Sequence, residues 1–268
     1  MTVAGWGLAW FAAAWAAPLA IAAPAAEGAD PAARIAVERL GDGRYSLRPT
    51  ARHCPRRSKR GRMQRTIALA NAMWVRFGRK ERPYPSQGPN PDAGLQTDSA
   101  IAGFWTSLPV SAAEAQRWRL WRSDPVAARQ EHWSAAFTSW LMCEAGYSMR
   151  EFARSMRHAN YVIHARDRTD VAAHSAVDAD QLPPMAGDLL CADAFPRGRR
   201  LAQIRVPHGL HCFLVVEVSG GEAHLIGGNV EGGVAKVRAQ IAGSGGTARV
   251  MPTDAAPWLV LMRPRDPR

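Results

Sequence analysis

Apolar residues recur every three to four positions through the first part of the chain. In "RTIALANAMWVRFG", Ile67, Ala70, Trp74 and Phe77 fall on one face, which predicts a helix stopped at Gly78. "RPYPSQGPNPDAG" is dense in proline and glycine and reads as a loop. "TDSAIAGFWTSL" predicts a second helix with Thr97 or Asp98 as its cap. "SAAEAQRWRLW" opens with Ser111 and carries Glu114 three residues on, a capping box, and Pro125 ends that helix near Ser123. "EHWSAAFTSWLMCEAG" spaces Trp133, Phe137, Trp140 and Leu141 as a helix that Gly146 closes. "MREFARSMRHANYVIHA" continues the helical pattern.

"DQLPPMAGD" marks a change of regime, and from Asp188 onward the period becomes that of strands. Five are predicted: "DLLCADAF", "HCFLVVEV", "EAHLIGG", "VAKVRAQI" and "PWLVLMRP". Gly220-Gly221 and Gly232-Gly233 supply hairpin turns, and connections this short require antiparallel neighbours. A helical half followed by an antiparallel sheet of about five strands is an α+β domain. It is expected over residues 63–265, after an irregular basic arm at 27–62.

Composition changes this picture mainly at the N-terminus. The first 26 residues carry no charged side chain and end in small residues, with cleavage points after Ala22 or Ala25. This predicts a signal peptide and a periplasmic or secreted protein; left uncleaved, the segment would be a membrane anchor. The net charge of +11 lies entirely beyond that segment. In an exported chain such charge favours anionic envelope polymers or lipid head groups. The arginines are widely spread and form no nucleic-acid-binding motif, so no nucleic-acid partner is expected. The densest run, "RRSKRGR" from Arg56 to Arg62, reads as a solvated loop or helix start.

Four cysteines in an exported chain permit two disulfides. Cys191 falls late in the first predicted strand and Cys212 early in the second, so an antiparallel pair would bring them together. Cys54 with Cys143 is the remaining pair. No C-x-x-C spacing points to zinc or redox chemistry; His208 and His211 near Cys212 are weak metal candidates, and neither metal nor cofactor is expected.

Ser134 is the residue that most needs explaining. A small hydroxyl before Ala135 and Ala136 could be a helix cap, a packing residue or a nucleophile. At a helix start a nucleophile would gain from the positive end of the macrodipole and from nearby N–H groups. His211, opening a strand, could serve it as base, with Asn229 orienting the imidazole. The plain alternatives are a half-buried histidine and a turn asparagine.

The phrase "WSAAFTSW" resembles the "WCAAFVSW" of papain-like cell-wall amidases and endopeptidases of the NlpC and CHAP types, with Ser134 in the place of their cysteine. "GDLLC" at Gly187 to Cys191 and "HCFLVVEV" resemble their following strands. The set resembles still more closely the bacterial domain of unknown function family 2272, which combines "WSAAF-SW", an "H-Y" segment (here His158 and Tyr161), "GDLLC", "HC" and "IGGNV" over about residues 65 to 262. The resemblance implies a papain-like relative with serine as nucleophile. It implies Ser134, His211 and Asn229 as the catalytic set and Trp133, His158 and Tyr161 beside a substrate cleft. The expected activity is hydrolysis of amide bonds in peptidoglycan or related envelope peptides. A non-catalytic envelope-binding module on the same fold is the alternative.

Overall fold

The computed structural model describes residues 35–39, 45–49, 54–82, 100–101, 103–105, 107–108, 132–193, 199–251 and 257–265. In chain order, strands β1 (Ile35–Arg39) and β2 (Tyr45–Pro49) precede helix α1 (Arg62–Arg76) and the short β3 (Glu81–Arg82). Helical residues follow at 100–101 and 103–105. Then come α2 (Ser134–Ala145), α3 (His158–Asp167), β4 (His174–Asp178) and β5 (Leu189–Asp193). The chain ends in β6 (Leu210–Ser219), β7 (Glu222–Val230), β8 (Gly233–Ala242), β9 (Arg249–Val250) and β10 (Trp258–Pro264). This is an α+β fold.

The main sheet runs β3-β8-β7-β6-β5-β10-β4, with β9 added beside β8. All its pairings are antiparallel except the two-residue β3–β8 contact. The five expected strands are β5, β6, β7, β8 and β10. The turn between β6 and β7 places Gly220 and Gly221 at φ 59° and 79°; that between β7 and β8 places Glu231 and Gly232 at 51° and 81°, one residue earlier than the expected Gly232-Gly233, because Gly233 already pairs with Val230 as the first residue of β8. Paired left-handed residues are what a two-residue hairpin turn requires, because they match the twist of the strands.

Alternating side chains send the sheet into two cores. Cys191, Cys212, Leu214 and Ile226 face the helices, joining Phe104, Trp133, Phe137, Trp140 and Tyr161. Leu190, Phe213, Val215, Leu225, Val237 and Leu261 form a second cluster on the other face. All five residues of β5 are buried, as expected of a strand covered on both sides.

Three expectations change. The arm at 27–62 was expected to be irregular; it contains the antiparallel β1–β2 hairpin, consistent with the alternation Ile35, Val37 and Tyr45, Leu47 in its sequence. The helix expected from Met149 begins only at His158. Before it, the backbone is held by side chains instead of a helical ladder: Ser148 and Glu151 bond each other, and Ser155 N–H donates to Ser139 Oγ, which donates back to Ser155 O, both at 3.0 Å. Strand β4 comes before the expected change of regime at Asp188; only its first residue is buried, which left no alternation to read. The caps at Thr97 and Asp98, the Ser111 capping box and residues 1–26 lie outside the described residues. Among the described residues, no helix is long and apolar enough to cross a membrane.

Both cysteine pairs are bonded. Register puts Cys191 directly opposite Cys212 across β5 and β6, and their disulfide spans 21 residues. Cys54–Cys143 spans 89 and ties the stretch before α1 to the last turn of α2. Disulfides are compatible with an extracellular or periplasmic location.

Candidate active site

Helix α2 lies against α1 on one side and β6 and β7 on the other, with its first turn pressed on β7. The approach is close because Gly228 has no side chain. A Cβ there would sit 2.6 Å from Phe137 Cβ and 2.8 Å from the Trp133 ring. Ala135 and Ala136 are buried in the same turn.

Ser134 is the first residue of α2, and Trp133, at the N-cap position, makes no side-chain cap. The Ser134 hydroxyl is only partly buried. Its partner is not a backbone N–H but His158 Nε2, at 2.7 Å. The first intrahelical bond of α2 runs from Phe137 N–H to Trp133 O, so the amides ahead of it have no acceptor within the helix.

His158 is likewise the first residue of its helix. The Ser139–Ser155 bonds fix the approach to α3 one turn along from Ser134. Asn160 Nδ2 donates to Ser155 Oγ at 2.7 Å and tightens the same turn. The imidazole is buried, and its Nδ1 is hydrogen-bonded to the Tyr161 hydroxyl. Tyr161 is fully buried against the Phe152 ring, 4.8 Å between centroids. Burial, and then the neighbouring His211, hold His158 well below the ordinary histidine range. Burial raises the Tyr161 phenol above its ordinary value, against a smaller lowering from a hydrogen bond with Thr138, so it is neutral.

His211 stands on β6 between two rings: Phe213 at 4.4 Å and His158 at 5.5 Å between centroids, both stacked. Its Nε2 is 3.0 Å from the Gly228 carbonyl. A carbonyl only accepts, so Nε2 carries the proton and is occupied as a donor. Burial lowers the His211 pKa to about 4; the Gly228 bond pulls upward and His132 downward, both less strongly. Asn229 follows Gly228 in a bulge of β7 at φ 57°, a left-handed conformation that asparagine tolerates.

Of the residues expected in the site, Ser134 and His158 are thus hydrogen-bonded, while His211 reaches the pair through ring stacking. Trp133, His158 and Tyr161, expected to line a cleft, are all buried. Thr138 was missed. Its hydroxyl lies 3.4 Å from the Ser134 carbonyl, and its spacing of four from Ser134 was the available signal. Among the described residues, no group of His, Cys, Asp or Glu is arranged to hold a metal ion.

No curated protein and no solved structure matches this chain. The sequence profile of a bacterial family described as "Uncharacterized protein conserved in bacteria (DUF2272)" matches residues 97–263, more than half of the chain, and the protein belongs to that family.

Proposed function

We propose that the protein is an exported hydrolase that cleaves amide bonds in peptidoglycan or a related envelope peptide, with Ser134 as nucleophile and His158, in place of His211, as base. The observation that carries this reading is the 2.7 Å bond between the Ser134 hydroxyl and His158 Nε2. Serine needs such a base because its hydroxyl is almost wholly protonated at neutral pH.

In this reading Ser134 Oγ attacks the scissile carbonyl carbon as its proton passes to His158 Nε2. The carbonyl π pair moves to oxygen, where first-turn amides of α2 receive the charge. Collapse expels the amine, which takes the proton from Nε2, and water repeats the cycle on the acyl-enzyme. His211 packs on the base, and Asn229 shapes the bulge that presents the Gly228 carbonyl. A helix-borne nucleophile backed by an antiparallel sheet fits a papain-like arrangement. The disulfides and the charge-free first 26 residues fit export, and the net charge of +11 fits an anionic envelope polymer.

A second reading is a non-catalytic envelope-binding module. What favours it is that no carboxylate bonds His158 among the described residues, so an imidazolium there lacks the usual counter-charge. Fluorophosphonate labelling combined with zymography on purified sacculi separates the two. Hydrolysis predicts labelled protein and cleared wall, both lost in Ser134→Ala. Wall retention by the unlabelled wild type without clearing would establish the binding module.

A further inference from the structure

We propose that the cavity at the start of α1 binds a carboxylate carried on a small apolar group, the chemistry of the C-terminal end of a short peptide. The site lies at the far end of α2 from Ser134: Arg62, in its wall, bonds the carbonyl of Gly146, which closes that helix about 18 Å along its axis. It does not depend on the chemistry proposed at Ser134.

The cavity measures about 220 Å³, and its charged lining is Lys59, Arg62, Arg265 and Glu151. Three cations against one carboxylate leave an excess of positive charge. Glu151 is already engaged. Its Oε1 takes Arg62 at 2.8 Å and Lys59 at 3.4 Å, and its Oε2 accepts from the Ser148 N–H at 3.0 Å and hydroxyl at 2.8 Å. His174 follows the lining residue Ala173 and adds no charge: burial, and then Arg265, lower its pKa to about 4. Helix α1 supplies no counter-charge either. Its cap is Gly61, and no acidic residue stands in its first turn, so the positive end of its dipole is uncompensated within the helix.

Arg62 supplies the observation that points to a ligand. Only 9% of the residue is exposed. Its Nη1 donates to Glu151 and its Nη2 to the Gly146 carbonyl, yet Nε is buried with no hydrogen-bond partner. A buried guanidinium N–H left bare is unfavourable, and this one belongs to a residue that lines a cavity. A carboxylate oxygen satisfies it with a charge-assisted bond. Arg265 uses one donor on the Thr169 carbonyl and Lys59 one on Glu151, so both keep N–H groups for the second oxygen.

The rest of the lining decides between anions. Val171, Ala172 and Ala173 are small and apolar. Phosphate would turn bare oxygens on them, whereas a carboxylate on an alanine-sized group sets a methyl there. At about 30 Å³ per water, the volume takes such a group and several waters.

The probe is N-acetyl-alanyl-alanine, titrated into full-length protein carrying ¹⁵N-arginine. The Arg62 Nε–H resonance is assigned by Arg62→Lys. If that variant does not fold, the Tyr147 ring, 4.9 Å from the guanidinium carbon, identifies it by ring-current shift. The resonance is expected to move saturably. Lys59→Gln and Arg265→Gln, both at exposed positions, should each weaken binding about tenfold. The C-terminal amide of the dipeptide, which lacks the charge, should not bind. Propionate separates the sources: weaker binding than the dipeptide supports a peptide end, and equal or tighter binding would assign the site to a free acid and overturn it. Absence of a saturable shift, an equal response to the amide, or tighter binding of inorganic phosphate would also overturn the inference. Ser134→Ala should bind the dipeptide as the wild type does, so failure of the hydrolase reading would leave this site standing.

Discussion

The two ends of helix α2 are built on opposite principles. At its C-terminal end the chain uses charge and a covalent tie. Arg62 donates to the Gly146 carbonyl at 2.7 Å and to Glu151 at 2.8 Å, Arg65 reaches the Ala145 carbonyl at 3.2 Å, and Cys143 is bonded to Cys54. Cations there satisfy the helix's last carbonyls and complement its dipole. At the N-terminal end no charged side chain is used among the described residues. A hydroxyl, an imidazole and a phenol complete one another's hydrogen bonds. The firm end anchors the helix. The neutral end keeps a partly exposed serine beside a buried imidazole, an arrangement that a fixed charge would disturb.

The largest effect is expected from removing the covalent tie. Replacing Cys54 and Cys143 together by serine opens a loop spanning 89 residues and should cost about 4–5 kcal/mol in denaturant unfolding. Ser134 labelling in the fraction that remains folded should persist. Its loss at the same rate would show that the two ends do not act separately.

Acid should act in two windows, the upper one shared by His211 and by His174, whose burial beside Tyr147 also lowers its pKa to about 4. The His211 pKa is lowered from 6.5 to about 4, so protons favour the unfolded chain and stability is lost as pH falls from about 6.5 towards 4. For Glu151, burial alone would raise the pKa. Bonds from Arg62 and Ser148 outweigh it and lower the pKa from 4.5 to about 2, so its contribution is full above 4.5 and lost as pH falls towards 2. Glu151→Gln should cost about 2–3 kcal/mol at neutral pH and flatten the lower window only. Calorimetry across pH reads both.

Gly228→Ala pushes a methyl into Phe137 and Trp133 and should cost about 2 kcal/mol while slowing labelling, because the carbonyl that holds His211 must withdraw. The smallest stability change belongs to Ser134→Ala, about 1 kcal/mol in thermal unfolding, the net worth of the one hydrogen bond it makes to His158. A much larger loss would mean that the hydroxyl holds the fold, and the contrast between the ends would fail.

The two ends also differed in how far the sequence disclosed them. Gly146 closing α2 and the Cys191–Cys212 pair were legible because a glycine stop and a cross-strand register are local facts. The hairpins of β6, β7 and β8 were legible for the same reason. The partner of Ser134 was not. His211 was the expected base and His158 only a residue beside the cleft, and what brings His158 to Ser134 is where α3 begins. That is set by Ser139 bonding Ser155 across 16 residues and by Arg154 donating to the carbonyls of Ser107 and Tyr147 at 2.9 Å. These bonds replace a helix that the spacing around Met149 predicts. His211 was prominent as the first polar residue of an apolar strand. What it does there depends on a β7 bulge that brings the Gly228 carbonyl beneath it.

Ser134 and His158 each open a helix, so the bond between them joins two helix starts. The electrostatic potential at the pair is therefore raised twice, with no cation bonded to either side chain among the described residues. Such a field treats the two halves of an acyl transfer unequally. It resists protonation of the imidazole, which raises the first barrier. Once formed, the same imidazolium is an unusually eager acid, and an oxygen gaining negative charge beside it is welcomed. Poor leaving groups, which must be protonated in order to depart, gain most from that bias. A nitrile or carbonyl probe placed on residue 134 would register the field as a shift in its vibrational frequency, and shortening either helix by substitution in its first turn would diminish it.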